Sequence, residues 1–307
     1  MSLEPPVPAT VTGPAPGGAA TEPRVALATC RLFPDGDADD VALPAALGGA
    51  EFVVWDDPRA DWEPYDLVVV RSTWDYQLRR DEFLAWAGRL GPKLVNSSEL
   101  LAWNTDKRYL RQLAAAGLPV VPTALVEPGE AFVAPVGEYV VKPTVSAGSR
   151  DTARFTEAPG DAVRAAALVQ GIHASGRTAM VQPYVASVDT RGETAMLLFD
   201  GRFSHAIHKG ALLSPGQEPT QEFFAPETIE ARTATAAERE VADRVVGWVS
   251  QHFGAAPAYA RVDLVEDAGG EPIVLELELT EPSLFFAYAP EGPARFADAV
   301  RRRLPGR

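Results

Sequence analysis

Tyr259-Ala-Arg-Val-Asp-Leu-Val265 and Ile273-Val-Leu-Glu-Leu-Glu-Leu279, joined by Glu266-Asp-Ala-Gly-Gly-Glu271, decide how the chain is read. Side chains alternate across a strand, so the first run presents Tyr259, Arg261, Asp263 and Val265 on one face and Ala260, Val262 and Leu264 on the other. The second presents Glu276 and Glu278 on one face, with Ile273, Leu275, Leu277 and Leu279 opposite. The glycine-containing link makes the pair a hairpin. With Asp263 opposite Glu276, Arg261 falls opposite Glu278, and four charged groups share one face. Such a face is either the wet side of an antiparallel sheet or a site. As a site, three carboxylates beside one arginine repel each other until a hard divalent cation joins them. An all-oxygen donor set then suits Mg²⁺ or Mn²⁺ bridging phosphate oxygens. Thr280-Glu-Pro-Ser283 ends the second strand with a turn suited to lining that site.

Outward from the hairpin, short strands predominate: Val120–Val126, Tyr139–Lys142, Met180–Tyr184, Thr194–Phe199 and Phe203–His208. Two helices interrupt them, around Ala162–His173 and Ala236–Phe253, the latter opened by a capping box at Thr235-Ala-Ala-Glu238. This is an α+β pattern with a largely antiparallel sheet. Further upstream, Val25–Thr29, Glu51–Trp55 and Leu67–Arg71 are continuous apolar runs. Runs of that kind belong to strands buried on both faces, and with the helix Asp81–Leu90 they form a small α/β unit. A helix over Thr105–Ala116 leads out of it and stops at Gly117-Leu-Pro119. The expected organisation is an extension at 1–23, rich in Pro, Ala and Gly and read as disordered, an α/β domain over 24–103, a small subdomain with a loop lid over 104–184, and a C-terminal domain over 185–307 carrying the charged face.

Composition narrows the function. The formal charge is -14, which repels phosphate backbones and anionic lipid, so neither nucleic acid nor a membrane surface is an expected partner. A phosphorylated ligand then needs a local cluster of cations. Cys30 is the only cysteine, which excludes an intrachain disulfide and cysteine-based metal centres and fits the cytoplasm. No apolar run approaches the length of about 18 residues that a bilayer span requires. Walker, GxGxxG, GxSxG, HExxH and CxxC motifs are all absent. His205 and His208, three apart on a strand, face opposite sides and do not share a metal.

The local cations are recognisable. Lys107 lies in Trp103-Asn-Thr-Asp-Lys-Arg108 at a helix start, where backbone N–H groups favour an anion. Lys142 ends an apolar strand before the small-residue loop Thr144-Val-Ser-Ala-Gly-Ser-Arg150, which can cradle phosphate and move as a lid. Lys209 adds a third cation at a strand end.

In order and spacing, Asn104 to Leu284 resembles the ATP-grasp superfamily. The matching pieces are the helix-start Lys107, Ala-Gly-Leu-Pro-Val-Val-Pro-Thr123, the strand-end Lys142, the lid, Val181-Gln-Pro-Tyr184, Arg261-x-Asp263 and Glu276-x-Glu278. The resemblance implies an α/β N-terminal domain followed by α+β ATP-grasp domains, with ATP and Mg²⁺ as cofactors. By it, Lys107 and Lys142 contact phosphates, Ser146 and Gly148 belong to the lid, the backbone around Gln182 and Tyr184 receives adenine, and Asp189 receives the ribose. Asp263, Glu276 and Glu278 hold the metal, and Arg261, assisted by Lys209, steadies the transferring phosphate. Glu278 departs from the pattern, since many relatives have asparagine there. The implied chemistry makes an acyl phosphate from a carboxylate and ATP, then a C–N bond.

Val-Val-Trp-Asp-Asp-Pro58, Val-Arg-Ser-Thr-Trp-Asp-Tyr76 and Lys-Pro-Thr-Val-Ser-Ala-Gly148 are further similar to a group of ATP-grasp ligases that includes O-ureidoserine cyclo-ligases. That likeness implies cyclisation of O-ureido-D-serine to D-cycloserine. Arg71, Ser72, Trp74, Asp75 and Tyr76 follow a buried strand, where an open α/β sheet places its crevice. They are expected either to hold a small zwitterionic amino acid, Arg71 at its carboxylate and Asp75 at its ammonium, or to pack on the next helix. The competing expectations are an intermolecular, glutathione-synthetase-like ligase, a non-catalytic ATP-binding module and a modifier of protein C-termini; a homo-oligomer is compatible with each.

Overall fold

A computed structural model describes residues 23–219 and 228–304. The extension at 1–23 therefore lies, but for its last residue, outside the described residues. The N-terminal sheet is parallel, in the order β2-β1-β3-β4, from β1 (Val25–Thr29), β2 (Glu51–Val54), β3 (Leu67–Val70) and β4 (Leu94–Val95). Its helices are α1 (Leu43–Ala46) and α2 (Arg80–Leu90). Strands β1 and β3 are buried on both faces because alternate residues enter different cores. Ala26, Ala28, Val68 and Val70 pack with Phe83 and Trp86 of α2. Leu27, Leu67 and Val69 turn the other way, toward Leu197, Phe199 and Tyr259.

The helix expected over Thr105–Ala116 is two helices, α3 (Ser98–Asn104) and α4 (Tyr109–Ala115). Lys107 lies in the turn between them, where its N–H donates to Thr144 O at 2.8 Å. Next come β5 (Ala124–Val126), β6 (Tyr139–Pro143), β7 (Ala153–Phe155), α5 (Asp161–Ala174) and β8 (Ala179–Pro183). Their antiparallel sheet has the order β5-β8-β6-β7, which puts β8 inside the sheet. The strand expected from Val120 is shorter because Pro122 removes a ladder donor, and Val120 forms only a bridge to Val274.

After α6 (Val188–Arg191) the chain builds the larger antiparallel sheet from β9 (Glu193–Phe199), β10 (Arg202–Lys209), β11 (Ile229–Arg232), β12 (Tyr259–Glu266) and β13 (Pro272–Glu278), in the order β11-β10-β9-β12-β13. Helix α7 (Ala236–Phe253), started by the expected capping box at Thr235 and Glu238, covers one face. Helix α8 (Gly292–Arg301) packs through Phe296 and Val300 into the core shared with the parallel sheet. Leu110 and Leu113 of α4 join Val245 and Val249 of α7 on the large sheet. The packing thus groups α3 and α4 with the large sheet, whereas the sequence grouped 104–184 together. No helix among the described residues is long and apolar enough to cross a membrane.

The β12–β13 register pairs Asp263 with Glu276 and Arg261 with Glu278, and then slips by one residue before Leu264 pairs with Val274. This bulge reverses the alternation expected for β13. Val274 and Leu277 enter the α7 core, while Ile273 and Leu275 face the opposite side with Val121 and Val188. Strand β13 is an edge closed by side chains. Asn104 Nδ2 donates to Leu277 O at 2.9 Å, Leu279 N donates to Asn104 Oδ1 at 2.7 Å, and Leu277 N donates to the Tyr109 hydroxyl at 2.9 Å. Helices α3 and α4 therefore set the height of Glu276 and Glu278.

Candidate active site

A cavity of about 270 Å³ lies between the two antiparallel sheets and the N-terminal domain. Lys107, Lys142, Lys209 and Arg261 line it, as do Glu193, Asp263, Glu276, Glu278 and Glu281, giving four cations and five carboxyl groups. The strand alternation read from the sequence delivers Arg261 and Asp263 here while Ala260 and Val262 enter the α7 core.

The charges form a chain of ion pairs. Arg261 Nε and Nη2 donate to the two oxygens of Asp263 at 2.9 and 3.0 Å, and Arg261 also pairs with Glu278. Lys209 Nζ bridges Asp263 at 2.9 Å and Glu193 at 2.8 Å. Lys107 Nζ lies 3.1 Å from Glu276 and donates to Ser146 O at 2.8 Å; Lys142 lies 3.9 Å from Glu276. Strands β9 and β10 come close enough for the Lys209–Glu193 pair because Gly192 precedes them. A Cβ at Gly192, where φ is +63°, would fall 2.2 Å from Lys209 O.

Burial acts to raise the Asp263 carboxyl, but Arg261 and Lys209 outweigh it and hold it at about 2. Burial also opposes ionisation of Glu276, whose pKa is nonetheless lowered by Lys107 and Lys142. The other two acids go the opposite way. Burial pushes Glu278 up to about 7 against the pull of Arg261, and pushes Glu281 up to about 8, with the charge of Glu278 adding to the effect. Lys142 is lowered by burial.

Among the described residues no three His, Cys, Asp or Glu side chains are close enough together to hold a metal. Instead Asp263 and Glu278 close on Arg261, and Glu276 on Lys107. The donor chemistry nonetheless fits a hard divalent cation: the three acids supply only oxygen, and the lysines and arginine between them can turn to phosphate oxygens. At the other end the walls are apolar, from Val140, Pro183, Tyr184, Val185, Leu212 and Leu213. Cations at one end and an apolar slot at the other fit a nucleoside triphosphate. Ser146 and Gly148 of the 144–150 loop line the same space, and the loop is tied to the N-terminal domain by Ala147 N donating to Gln77 Oε1 at 3.0 Å.

Other sequence candidates are placed differently. Gln182 and Tyr184 line the cavity, yet the Gln182 amide donates to Thr123 Oγ1 at 3.0 Å and the Tyr184 N–H donates to Glu138 O at 2.8 Å. Asp189 does not line it. It accepts from the Tyr184 hydroxyl at 2.6 Å and from Arg154 at 2.9 Å, the arginine lying 3.4 Å over the Tyr184 ring, so it serves as a counterion behind the apolar wall. Trp74 and Tyr76 face the cavity, but Arg71, Ser72 and Asp75 do not. The turn after β3 directs Arg71 and Ser72 onto the buried carboxylate of Asp40, at 2.8 and 2.9 Å, and Asp75 onto Trp55 Nε1 and Arg79, at 2.9 and 3.1 Å. Arg71 instead steadies the cavity wall, donating to Pro282 O at 3.0 Å. His205 and His208 diverge as expected, toward the carbonyls of Leu284 and Arg191.

Glu281 and Ser283 line the cavity, as expected of the Thr280–Ser283 turn, though the sequence assigns neither a role of its own; Glu193 lines it too, without a sequence expectation. Glu193 was within reach, because it heads the strand that alternates Glu193, Ala195 and Leu197 and pairs with Lys209. Glu281 stood in the terminating turn, without a partner in sequence to mark it.

Comparison with known proteins follows the same lines. Residues 25–96 match the family described as the N-terminal domain of D-cycloserine synthetase DcsG. The cycloserine biosynthesis protein DcsG of Streptomyces lavendulae is 40% identical over 272 residues, covering 83% of this chain and 89% of that protein. The chain belongs to the DcsG family of ATP-grasp ligases. A crystal structure of D-cycloserine synthetase DcsG superposes with a TM-score of 0.82 at 39% identity, over 92% of this chain and 99% of that one. The D-alanine–D-alanine ligase of Bacillus anthracis, complexed with ATP, shares the fold with a TM-score of 0.61 at 14% identity, over 91% and 96%. The α/β and antiparallel α+β architecture is that of this family, and the chain is a C–N bond-forming ligase.

Proposed function

We propose that the chain uses Mg-ATP to activate the carboxylate of O-ureido-D-serine and closes the D-cycloserine ring, releasing ADP and phosphate. The observation that carries this reading is the 40% identity to a cycloserine biosynthesis protein over most of both chains, joined to a cavity that gathers four cations and five carboxyl groups. Lys107, Lys142 and the Ser146–Gly148 loop bind the phosphates, and Gln182 and Tyr184 line the adenine pocket. Asp263, Glu276 and Glu278 hold magnesium, which neutralises phosphate charge when bound. Arg261, with Lys209 behind it through Asp263, faces the transferring group. The substrate carboxylate attacks the γ-phosphorus and the bond to ADP breaks; the ring nitrogen then attacks the acyl carbon and phosphate leaves. That nitrogen carries a carbamoyl group in the substrate and hydrogen in the product, so water also cleaves the bond to the carbamoyl group, which leaves as carbon dioxide and ammonia. Positioning and charge neutralisation suffice for phosphoryl transfer, which agrees with the absence of nucleophile motifs.

The test is ADP and phosphate release with Mg-ATP and a panel of amino acids. Release dependent on O-ureido-D-serine, with a cyclised product by mass, is expected. Release only with another amino acid and an amine acceptor would overturn the substrate and favour an intermolecular ligase, and ATP binding without release would overturn the ligase.

A further inference from the structure

One carboxyl group in the cavity has no cation of its own. Asp263, Glu276 and Glu278 each lie against lysine or arginine, whereas Glu281, only 8% exposed, forms no ion pair among the described residues. Lys107, whose charge reaches it, is held by Glu276 and Ser146. The Tyr76 side chain, on the same cavity, acts on the Glu281 carboxyl as a neutral neighbour that favours its ionised form against burial. A buried carboxylate left with one neutral neighbour is costly, and that cost is relieved by any ligand that brings a cation.

The wall bearing Glu281 is rigidly built. Trp74 Nε1 donates to Glu281 O at 3.1 Å and Arg71 fixes the next carbonyl, Pro282 O, at 3.0 Å. Asp39 accepts the N–H groups of Leu284, Phe285 and Phe286 at 2.7, 2.8 and 2.7 Å. Supports of that kind hold a binding group in place before ligand arrives. The cations that line the cavity are engaged by other acids, Lys107 by Glu276, Lys209 by Asp263 and Glu193, and Arg261 by Asp263 and Glu278, and Arg261 meets this wall at Ser283 O, 3.3 Å away. A zwitterionic amino acid whose carboxylate is set among those cations to meet the nucleotide brings its positive group to the acid that lacks one.

We propose that Glu281, oriented by Tyr76, anchors the α-ammonium group of the amino-acid substrate. This rests on the ligase reading above and replaces the role expected of Asp75. It makes Glu281 a determinant of specificity for amino acids over plain carboxylic acids.

The experiment compares kcat/KM for O-ureido-D-serine and for its desamino counterpart, 3-(ureidooxy)propanoate, in the parent, Glu281→Gln and Tyr76→Phe. Loss of a partner from a buried charge pair predicts that the parent discriminates against the desamino acid by about 30-fold or more. Glu281→Gln should lose a similar factor with the amine-bearing substrate and keep less than about 3-fold discrimination, with KM for ATP unchanged. Tyr76→Phe should show an intermediate discrimination, which keeps the test decisive if Glu281→Gln does not fold. Discrimination equal to the parent's in both variants, or an equal loss with both compounds, would overturn the anchor. Should the parent ligate another amino acid, the same comparison is made with that amino acid and its desamino form. Should it turn over none, calorimetric binding of each pair in the presence of Mg-ATP tests Glu281 while the ligase reading falls by itself.

Discussion

Replacing Asp263 by asparagine removes one negative charge from between two cations. Its carboxylate accepts from Arg261 at 2.9 and 3.0 Å and from Lys209 at 2.9 Å, at a position only 2% exposed. Breaking a buried ion pair from one side costs about 3–5 kcal/mol, since the remaining charge is left without compensation. Asparagine keeps one oxygen that can accept from Arg261, so the lower end applies, about 3 kcal/mol. At about 2 °C per kcal/mol for a chain of this size, the unfolding midpoint should fall by about 6 °C in magnesium-free buffer. Turnover should fall by at least about a hundredfold, because the charge that holds Arg261 and Lys209 in the cavity is gone. Scanning calorimetry and ADP release on the same preparation read both. Full turnover at saturating magnesium would refute the role of Asp263 in the site, and an unchanged midpoint would refute the ion-pair account.

Asp75→Asn should leave KM for the amino acid within about twofold and change stability by less than about 1 kcal/mol, because its partners Trp55 and Arg79 lie behind the cavity wall and Arg79 is partly exposed; a KM raised tenfold in steady-state rates would return Asp75 to the substrate. Stability of the ligand-free protein should fall as pH rises: folded Glu281 keeps its proton up to about 8 against an ordinary 4.5. Between those values the folded state binds the extra proton, and the loss from this group is at most about 1.4 kcal/mol per pH unit. Glu281→Gln should flatten that dependence in chemical denaturation, and superimposable profiles for parent and variant between about pH 5 and 8 would contradict it.

The hairpin was the most legible part of the chain because its chemistry obeys a local rule. Alternation with period two puts Arg261, Asp263, Glu276 and Glu278 on one face, and nothing distant can move a residue across the sheet without a bulge. The bulge in this hairpin lies just past Asp263, so it redirects Leu275 and Val274 and leaves the four charged residues in place. The capping box of α7 was legible for the same reason, being a contact across three residues. The sequence leaves Arg71 and Asp75 between substrate and packing because their partners, Asp40 and Trp55, are 31 and 20 residues away, and no local pattern encodes which way a turn after a strand directs its side chains. Glu281 has no role of its own in that reading since its significance is the lack of a partner, which exists only once the neighbouring lysines and arginine have been distributed among Asp263, Glu276 and Glu278. Short elements such as β4 and β7 carry too few residues for periodicity to register.

Activation of the substrate carboxylate by phosphorylation can be followed with O-ureido-D-serine labelled with ¹⁸O in its carboxyl group and mass analysis of the phosphate released during turnover with Mg-ATP. The account predicts one ¹⁸O atom in each phosphate, because the oxygen that attacks the γ-phosphorus leaves with it when nitrogen closes the ring. Unlabelled phosphate accompanying a cyclised product would mean that no acyl phosphate forms, and would contradict the account.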